Sequence, residues 1–318
     1  MTLVSKANSF YKEGGWYLIR QKIINRLYKI RDRFFYHSSV FVHKNYLPKG
    51  LSSEMSDWQA YQYLKRCSKH FLDDLPIYEM KKGIPPRIVW WCWLQGEENA
   101  PQLCKACLRS IKENLPQYEI IIITNENYRN YTNIPRYIIE KYEKGIILGA
   151  HFADILRTDL LVRNGGVWID STVYCTGYHE DLFALPFFVF KNWRPGGDVG
   201  CVCSNWLISS TKNNPILKTT LELTYYYWRK HDSAVNYLFY HLLFHIATER
   251  YPEQWKQVPN YPNTAPHVLQ FELFHEYGEE RLRQIKGISD FHKLTRHKVS
   301  GVKGKTKYSF YALNLVAQ

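Results

Sequence analysis

Two short runs of bulky apolar residues, 87–94 (RIVWWCWL) and 118–124 (YEIIIIT), constrain this chain more than any other feature. Each has the length and the β-branched or aromatic content of a fully buried strand, and each is followed by residues of helical period. Ile84-Pro85-Pro86 stops any helix before the first run, and Gln95-Gly96 turns the chain after it. Residues 101–114, 126–131 and 135–144 fit helices. A stronger helical pattern spans 151–163 and ends at Asn164-Gly165-Gly166, with glycine where a left-handed cap belongs. A third short strand, 167–170, follows. Strands separated by helices predict an α/β layer, Rossmann-like, with a mostly parallel sheet flanked by helices. Ligands bind such sheets at the carboxyl ends of the strands, so residues 93–96, 124–125 and 170–172 should line one cleft. Segments 187–191 and 206–209 are candidates for further strands. Residues 58–71, 214–230 and 234–250 read as helices, which makes the C-terminal part largely helical.

The chemistry concentrates in residues 153–176, ADILRTDLLVRNGGVWIDSTVYCT. Asp154 and Arg157 lie three apart on one helix and so share a face. The Gly165-Gly166 turn feeds a strand that delivers Asp170 to its end, followed by Ser171 and Thr172. Two readings are open. Asp154 and Arg157 form a helix ion pair while Asp170 caps a turn. Alternatively, the three hold a sugar nucleotide: a strand-tip carboxylate reaches a hard divalent cation on the diphosphate, a helix carboxylate accepts hydrogen bonds from sugar hydroxyls, and the arginine steadies both.

This segment resembles the capsular polysaccharide synthesis proteins, within the sugar transferases that carry a DXD motif. It is more distantly similar to the catalytic core of the clostridial glucosylating toxins. The shared features are an Asp-x-x-Arg helix (Asp154, Arg157), a Gly-Gly turn, an aromatic residue (Trp168) and the leading acid of the motif (Asp170). Residues 89–96 resemble the family's opening strand, and 292–295 (HKLT) a late motif of the capsular group. The resemblance implies a retaining glycosyltransferase of the GT-A type. It would move a hexose, galactose as first guess, from a UDP-sugar onto a lipid-linked oligosaccharide in capsule or O-antigen synthesis. It implies that Trp93 stacks on uracil beside Gln95, that Asp154 and Arg157 hold the sugar, and that Trp168 walls its pocket. It further implies that Asp170 binds Mn²⁺ or Mg²⁺, that His292 joins it as a metal ligand, and that His292 and Lys293 close over the diphosphate. One position departs from the pattern: Thr172 stands where a second acid is expected. That weakens the metal site and keeps an alternative open, a non-catalytic sugar-nucleotide-binding partner in polysaccharide assembly.

Charge is unevenly spread. Residues 1–50 hold ten Lys or Arg against two acids, Glu13 and Asp32, and so supply eight of the thirteen net positive charges. Within them, residues 16–36 have an amphipathic helical pattern, with Trp16, Ile19, Ile23, Leu27, Ile30 and Phe34 on one side and basic residues on the other. Either this helix docks on the protein's own core, or it lies on an anionic membrane surface; the charge excess favours the membrane. Residues 1–50 are therefore expected to be a membrane-proximal arm and 51–318 the transferase domain. No basic and aromatic stripe continues beyond the arm, which argues against nucleic acid as a partner. Of the seven cysteines, Cys104 and Cys107 form a CxxC that could be half a zinc site or a redox pair, but no second CxxC completes it and Cys201-x-Cys203 has the wrong spacing, so they read as buried small apolar residues. The odd cysteine count and the absence of an apolar leader pattern predict a cytoplasmic protein peripheral to the inner membrane.

Overall fold

Alternation along the first strand sets up the two faces of the molecule. The computed structural model describes residues Trp16, Ile19, Arg20, Ile23 and Leu27, then 49–80, 82–178, 180–192, 200–274 and 278–295. In β1 (Ile88–Cys92), Val89 and Trp91 point into one core layer and Trp90 into the other, as the two-residue period of a strand requires. All three are buried. A run apolar at every position is what a strand covered on both faces needs.

β1 pairs in parallel with β2 (Glu119–Ile123) on one side and β3 (Gly166–Ile169) on the other. Beyond β3 lie β6 (Cys203–Ser210) and β5 (Phe187–Lys191), giving the order β2-β1-β3-β6-β5. β6 runs antiparallel to both of its neighbours, so four of the five strands point one way. The mostly parallel α/β layer expected from the sequence is present, with the two later segments as strands. Helix α1 (Lys49–Asp74) covers more than the 58–71 expected, while α2 (Gln102–Asn114) follows β1 after a short 3-10 turn at Glu97–Asn99. α3 (Tyr128–Tyr131), α4 (Arg136–Glu143) and α5 (Gly149–Asn164) fill the β2–β3 crossover. α2 packs on the Val89 and Trp91 face. α5, α7 (Pro215–Lys230) and α8 (Phe239–Arg250) pack on the Trp90 face, with α6 (Glu180–Phe183) lying before β5.

The α5–β3 corner depends on glycine. Gly165 has φ 70° and ψ −164°, a positive φ but an extended ψ rather than the left-handed helical cap expected. Gly166 has φ 99°, and a Cβ there would lie 2.7 Å from the carbonyl oxygen of Ile88. The Trp90 indole donates to the Gly165 carbonyl at 2.8 Å, fixing the corner against β1.

One element was not anticipated. β4 (Val173–Cys175) pairs antiparallel with β7 (Phe291–Lys293), the last described strand, in a separate two-stranded sheet. Short helices α9 (Pro252–Gln257), α10 (Val268–Glu272) and α11 (Glu279–Ile288) lead the chain back to it. Strands of three residues carry too little periodicity to be read from sequence. Of the amphipathic helix expected at 16–36, Trp16, Ile19, Arg20, Ile23 and Leu27 are helical, and its other positions lie outside the described residues. No helix among the described residues is long and apolar enough to cross a membrane.

Candidate active site

The carboxyl end of β3 opens onto a cavity of about 590 Å³. Its lining comes from the β1 tip (Cys92, Trp93, Leu94, Gln95), the first turns of α5, the residues after β3, Asn205 on β6, the start of α8, and Lys293 on β7. Two of the three loops expected to share a cleft, 93–96 and 170–172, do so. Residues 124–125 do not line it. Thr124 and Asn127 bond to each other instead, with the Thr124 amide donating to Asn127 Oδ1 at 2.8 Å.

One guanidinium organises the interior. Arg157 donates from Nη1 to Asp154 Oδ1 and from Nη2 to Asp170 Oδ1, both at 3.0 Å. Its side chain is only 6% exposed. A planar fork suits this bridge, since its two nitrogens diverge toward two acceptors. Arg157 also lies over the Trp168 ring, 5.0 Å from the centroid. Trp168 in turn donates its indole N–H to Asp170 Oδ1 at 2.8 Å. Asn205 donates to Asp154 Oδ1 at 2.8 Å. The sequence pattern offers no signal for Asn205, because its partner is 51 residues away on another element.

The two carboxylates differ. Burial raises Asp154 from 3.8 to about 7, against the pull of Arg157 and with a push from Asp170. Burial also pushes Asp170 upward, but Lys293 and then Arg157 outweigh it and hold that carboxyl below its ordinary value. Asp170 is therefore an anion at neutral pH, and Asp154 sits near the midpoint of its titration.

Lys293 donates to Asp170 Oδ2 at 2.7 Å and to Thr172 Oγ1 at 2.8 Å. The β4–β7 ladder brings it there: Val173 pairs with Lys293, and the Leu294 amide donates to the Thr172 carbonyl at 2.9 Å. His292 is adjacent on the same strand and so faces the opposite way. It is fully buried, accepts or donates through Nε2 with Thr176 Oγ1 at 3.0 Å, and does not line the cavity. Burial, with Lys286 adding to it, lowers its pKa to about 4. The pair expected to close over the site is thus split: Lys293 enters it, and His292 is not placed to share a ligand with Asp170.

Trp93, Gln95, Trp168 and Thr172 all line the cavity, as do Asp154, Arg157, Asp170 and Lys293. Two histidines join them. His151 and His241 each leave a buried Nδ1 without a hydrogen bond. Burial lowers both, and His241 falls to about 4 with Arg157 as the next cause. Both are neutral imidazoles at neutral pH, able to meet hydroxyl groups of a bound molecule. His241 reads from sequence as a core or interface residue because the residues around it are apolar; the α8 register turns it into the cavity. His245, one turn on, stacks on Tyr61 with ring centroids 4.5 Å apart. The N-terminus of α5 has no side-chain cap, and its first residues, Gly149, Ala150 and His151, border the same cavity. Among the described residues no cluster of three His, Cys, Asp or Glu has a metal-binding arrangement.

Comparison with known proteins gives one family model, "Capsular polysaccharide synthesis protein", matching residues 42–312. The chain is 25% identical over 231 residues to O-glycosyltransferase braB of Annulohypoxylon truncatum, covering 64% of this chain and 52% of that protein. It is 26% identical over 145 residues to inositol phosphoceramide mannosyltransferase 3 of Schizosaccharomyces pombe, covering 44% of this chain and 37% of that protein. The chain thus spans about half or less of the curated relatives it matches. Among solved structures, PaToxG glycosyltransferase aligns with TM-score 0.37 and 17% identity over 82% of this chain and 96% of that one. The apo form of GlyE from Streptococcus pneumoniae TIGR4 aligns with TM-score 0.36 and 14% identity, over 66% of this chain and 55% of that one.

Proposed function

The chain belongs to the capsular polysaccharide synthesis protein family, and from that premise we propose that it is a retaining glycosyltransferase moving a hexose from a nucleoside diphosphate donor to a glycan acceptor. One observation carries the reading. Asp154 on α5 and Asp170 at the tip of β3 are joined by Arg157 at the floor of a cavity with tryptophans on its walls. A void of about 590 Å³ falls within the size of a small-ligand site. Two carboxylates bound to one buried arginine are a costly way to stabilise a fold. Facing a cavity, they suit polyol recognition.

In this reading Trp93 and Gln95 hold the base, uracil by expectation, and Trp168 walls the sugar. Asp154 accepts hydrogen bonds from sugar hydroxyls, while His151 and His241, uncharged, offer further polar contacts. Arg157 fixes Asp154 and Asp170 relative to each other. The sugar's C1–O bond to the diphosphate breaks, and the acceptor oxygen bonds C1 from the same face. The acceptor proton passes to a phosphate oxygen of the leaving group. The protein needs no strong base for this step; it contributes positioning and fixed charge. The fungal relatives named above include a mannosyltransferase, which supports a hexose without choosing between galactose and mannose.

A lipid-linked oligosaccharide in capsule or O-antigen synthesis is the acceptor class we propose, reached at the cytoplasmic face of an anionic inner membrane. The basic residues of the first 50 and the exposed Trp16, Ile23 and Leu27 support that placement.

The divalent ion that the resemblance implies, Mn²⁺ or Mg²⁺, fits the donor set poorly. Asp170 offers the carboxylate, but Arg157 and Trp168 bond one oxygen and Lys293 the other. The Thr172 hydroxyl also takes Lys293, and His292 faces elsewhere.

The test is to incubate the full chain with a panel of UDP- and GDP-sugars, measuring nucleotide release and sugar transfer to lipid-linked acceptors. Release from at least one donor, lost in Asp154→Asn and Asp170→Ala, is the expected result. Tight binding of a donor with no hydrolysis and no transfer would instead make the chain a sugar-nucleotide-binding partner in assembly.

A further inference from the structure

We propose that the Lys293 ammonium is the resident cation of this site, occupying the place between Asp170 and Thr172 and meeting the donor diphosphate directly, so that donor binding needs no divalent metal. The proposal rests on the nucleoside diphosphate reading above and deepens it.

The geometry is that of a bridged cation. Nζ lies 2.7 Å from Asp170 Oδ2 and 2.8 Å from Thr172 Oγ1, the two oxygens that the motif positions would turn toward an ion. Where the motif's two acids would face a doubly charged ion, one carboxylate and one hydroxyl here face a singly charged ammonium. Thr172 in place of the second acid and a lysine between the two side chains are therefore complementary departures from the metal-binding pattern. An ammonium carries three donor hydrogens. Asp170 and Thr172 take two, leaving one for a phosphate oxygen.

The backbone makes this placement specific. A lysine on a loose loop would find some carboxylate anyway, but Lys293 is the last residue of β7 and pairs with Val173, three residues beyond Asp170. The Leu294 amide then closes on the Thr172 carbonyl. The site strand and the lysine are thus locked in register, and the Lys293 side chain is only 20% exposed. Arg157 lies deeper, its side chain 6% exposed against 20% for Lys293, and each of its η nitrogens is turned to a carboxylate.

The test measures binding rather than turnover. The affinity of full-length protein for UDP, UMP, GDP and GMP is measured by calorimetry in EDTA and again in excess Mn²⁺. The diphosphate of the preferred base should bind equally well, within about twofold, under both conditions. It should also bind more tightly than the monophosphate. Lys293→Met should lose on the order of ten- to a hundredfold in diphosphate affinity in EDTA, the loss of one charge-assisted contact. It should keep monophosphate affinity and become Mn²⁺-stimulated, because Asp170 and Thr172 are then open to an ion. Lys293→Arg should remain metal-independent. The wild-type measurements stand alone if the variants fold poorly. Diphosphate binding by the wild type only in Mn²⁺ would overturn the lysine's role and leave the donor reading standing. No binding of any nucleotide in either condition would bring down both.

Discussion

Asp154 and Asp170 come from a helix and a strand tip, yet their carboxylates share the two η nitrogens of Arg157, each at 3.0 Å. The bridge sets the distance between the group proposed to hold the sugar and the group at the diphosphate. Lysine keeps the charge at position 157 but replaces the planar fork, whose two diverging nitrogens each reach one carboxylate, with a single point of donation. Arg157→Lys should therefore lower kcat/KM by about a hundredfold, the scale of misplacing a reacting group by an ångström. Far-UV circular dichroism should be unchanged. Steady-state kinetics on the donor found active in the panel checks this, and near-wild-type turnover would show that the bridge is not what aligns the site.

Asp170 is the node of the cluster, bonded to Arg157, Trp168 and Lys293. Replacing it with alanine frees two cations and an indole at once. Transfer should fall on the order of a thousandfold, through lost positioning and lost field. The variant should remain folded, since the side chain is 21% exposed and β3 is held by β1 and β6 through its backbone. Activity and thermal melting measured together separate the two effects. A variant that melts cooperatively and turns over normally would return Asp170 to a structural role.

The raised Asp154 carboxyl gives a pH signature. Sugar hydroxyls donate best to the ionised form, so kcat/KM should rise with pH through about 7. Asn205 donates to the same oxygen and favours the charged form. Asn205→Leu should therefore move the rising limb to higher pH. Stability runs the other way. Between about 4 and 7 the folded chain keeps a proton on Asp154 that the unfolded chain has released, so this group lowers stability as pH rises through that window. Asp154→Asn removes the titration, and its melting temperature should fall less between pH 5 and pH 8 than that of the wild type. Equal slopes in the two proteins would place the Asp154 pKa at its ordinary value.

How far the sequence reveals this site depends on how local each contribution is. The α5–Gly165-Gly166–β3 segment is contiguous, so Asp154, Arg157, Trp168 and Asp170 can be read together from one stretch. The β1 tip, with Trp93 and Gln95, is legible because an apolar run ending in Gln-Gly marks where a strand stops. Asn205 and His241 enter the cavity through the registers of β6 and α8, which depend on packing and leave no local mark. Lys293 falls between these cases. The HKLT segment stands out as a motif, but only the β4–β7 ladder decides which of its two leading side chains faces the ligand. Strand alternation permits one, and the structure selects lysine over histidine.

The same corner supports a stability prediction independent of function. Gly166 has φ 99°, a conformation that side-chain-bearing residues rarely adopt, and a Cβ would meet the Ile88 carbonyl at 2.7 Å. The contact is with backbone in the central strand pair, so it cannot be relieved by rotating a side chain. Gly166→Ala should destabilise the fold by about 1–3 kcal/mol. Urea denaturation monitored by tryptophan fluorescence measures this, with Trp90 and Trp168 flanking the corner as reporters. A midpoint unchanged from wild type would mean that β1 and β3 separate without cost.

The basic first 50 residues predict where the enzyme works. Trp16, Ile23 and Leu27 are 74%, 54% and 57% exposed, and their spacing of seven and four residues puts them on one side of a helix. Such a face partitions into the headgroup region of a bilayer, while basic residues near an anionic surface add roughly 1 kcal/mol each at low salt. Full-length protein should therefore sediment with phosphatidylserine-containing vesicles, less so with neutral ones, and less again as salt rises well above about 0.1 M. Removing residues 1–36 should abolish sedimentation but leave donor affinity intact, because the cavity is built wholly from residue 92 onward. Loss of donor affinity on truncation, with no vesicle binding by the intact chain, would mean that the helix supports the transferase fold itself and that its basic face is only solvated surface.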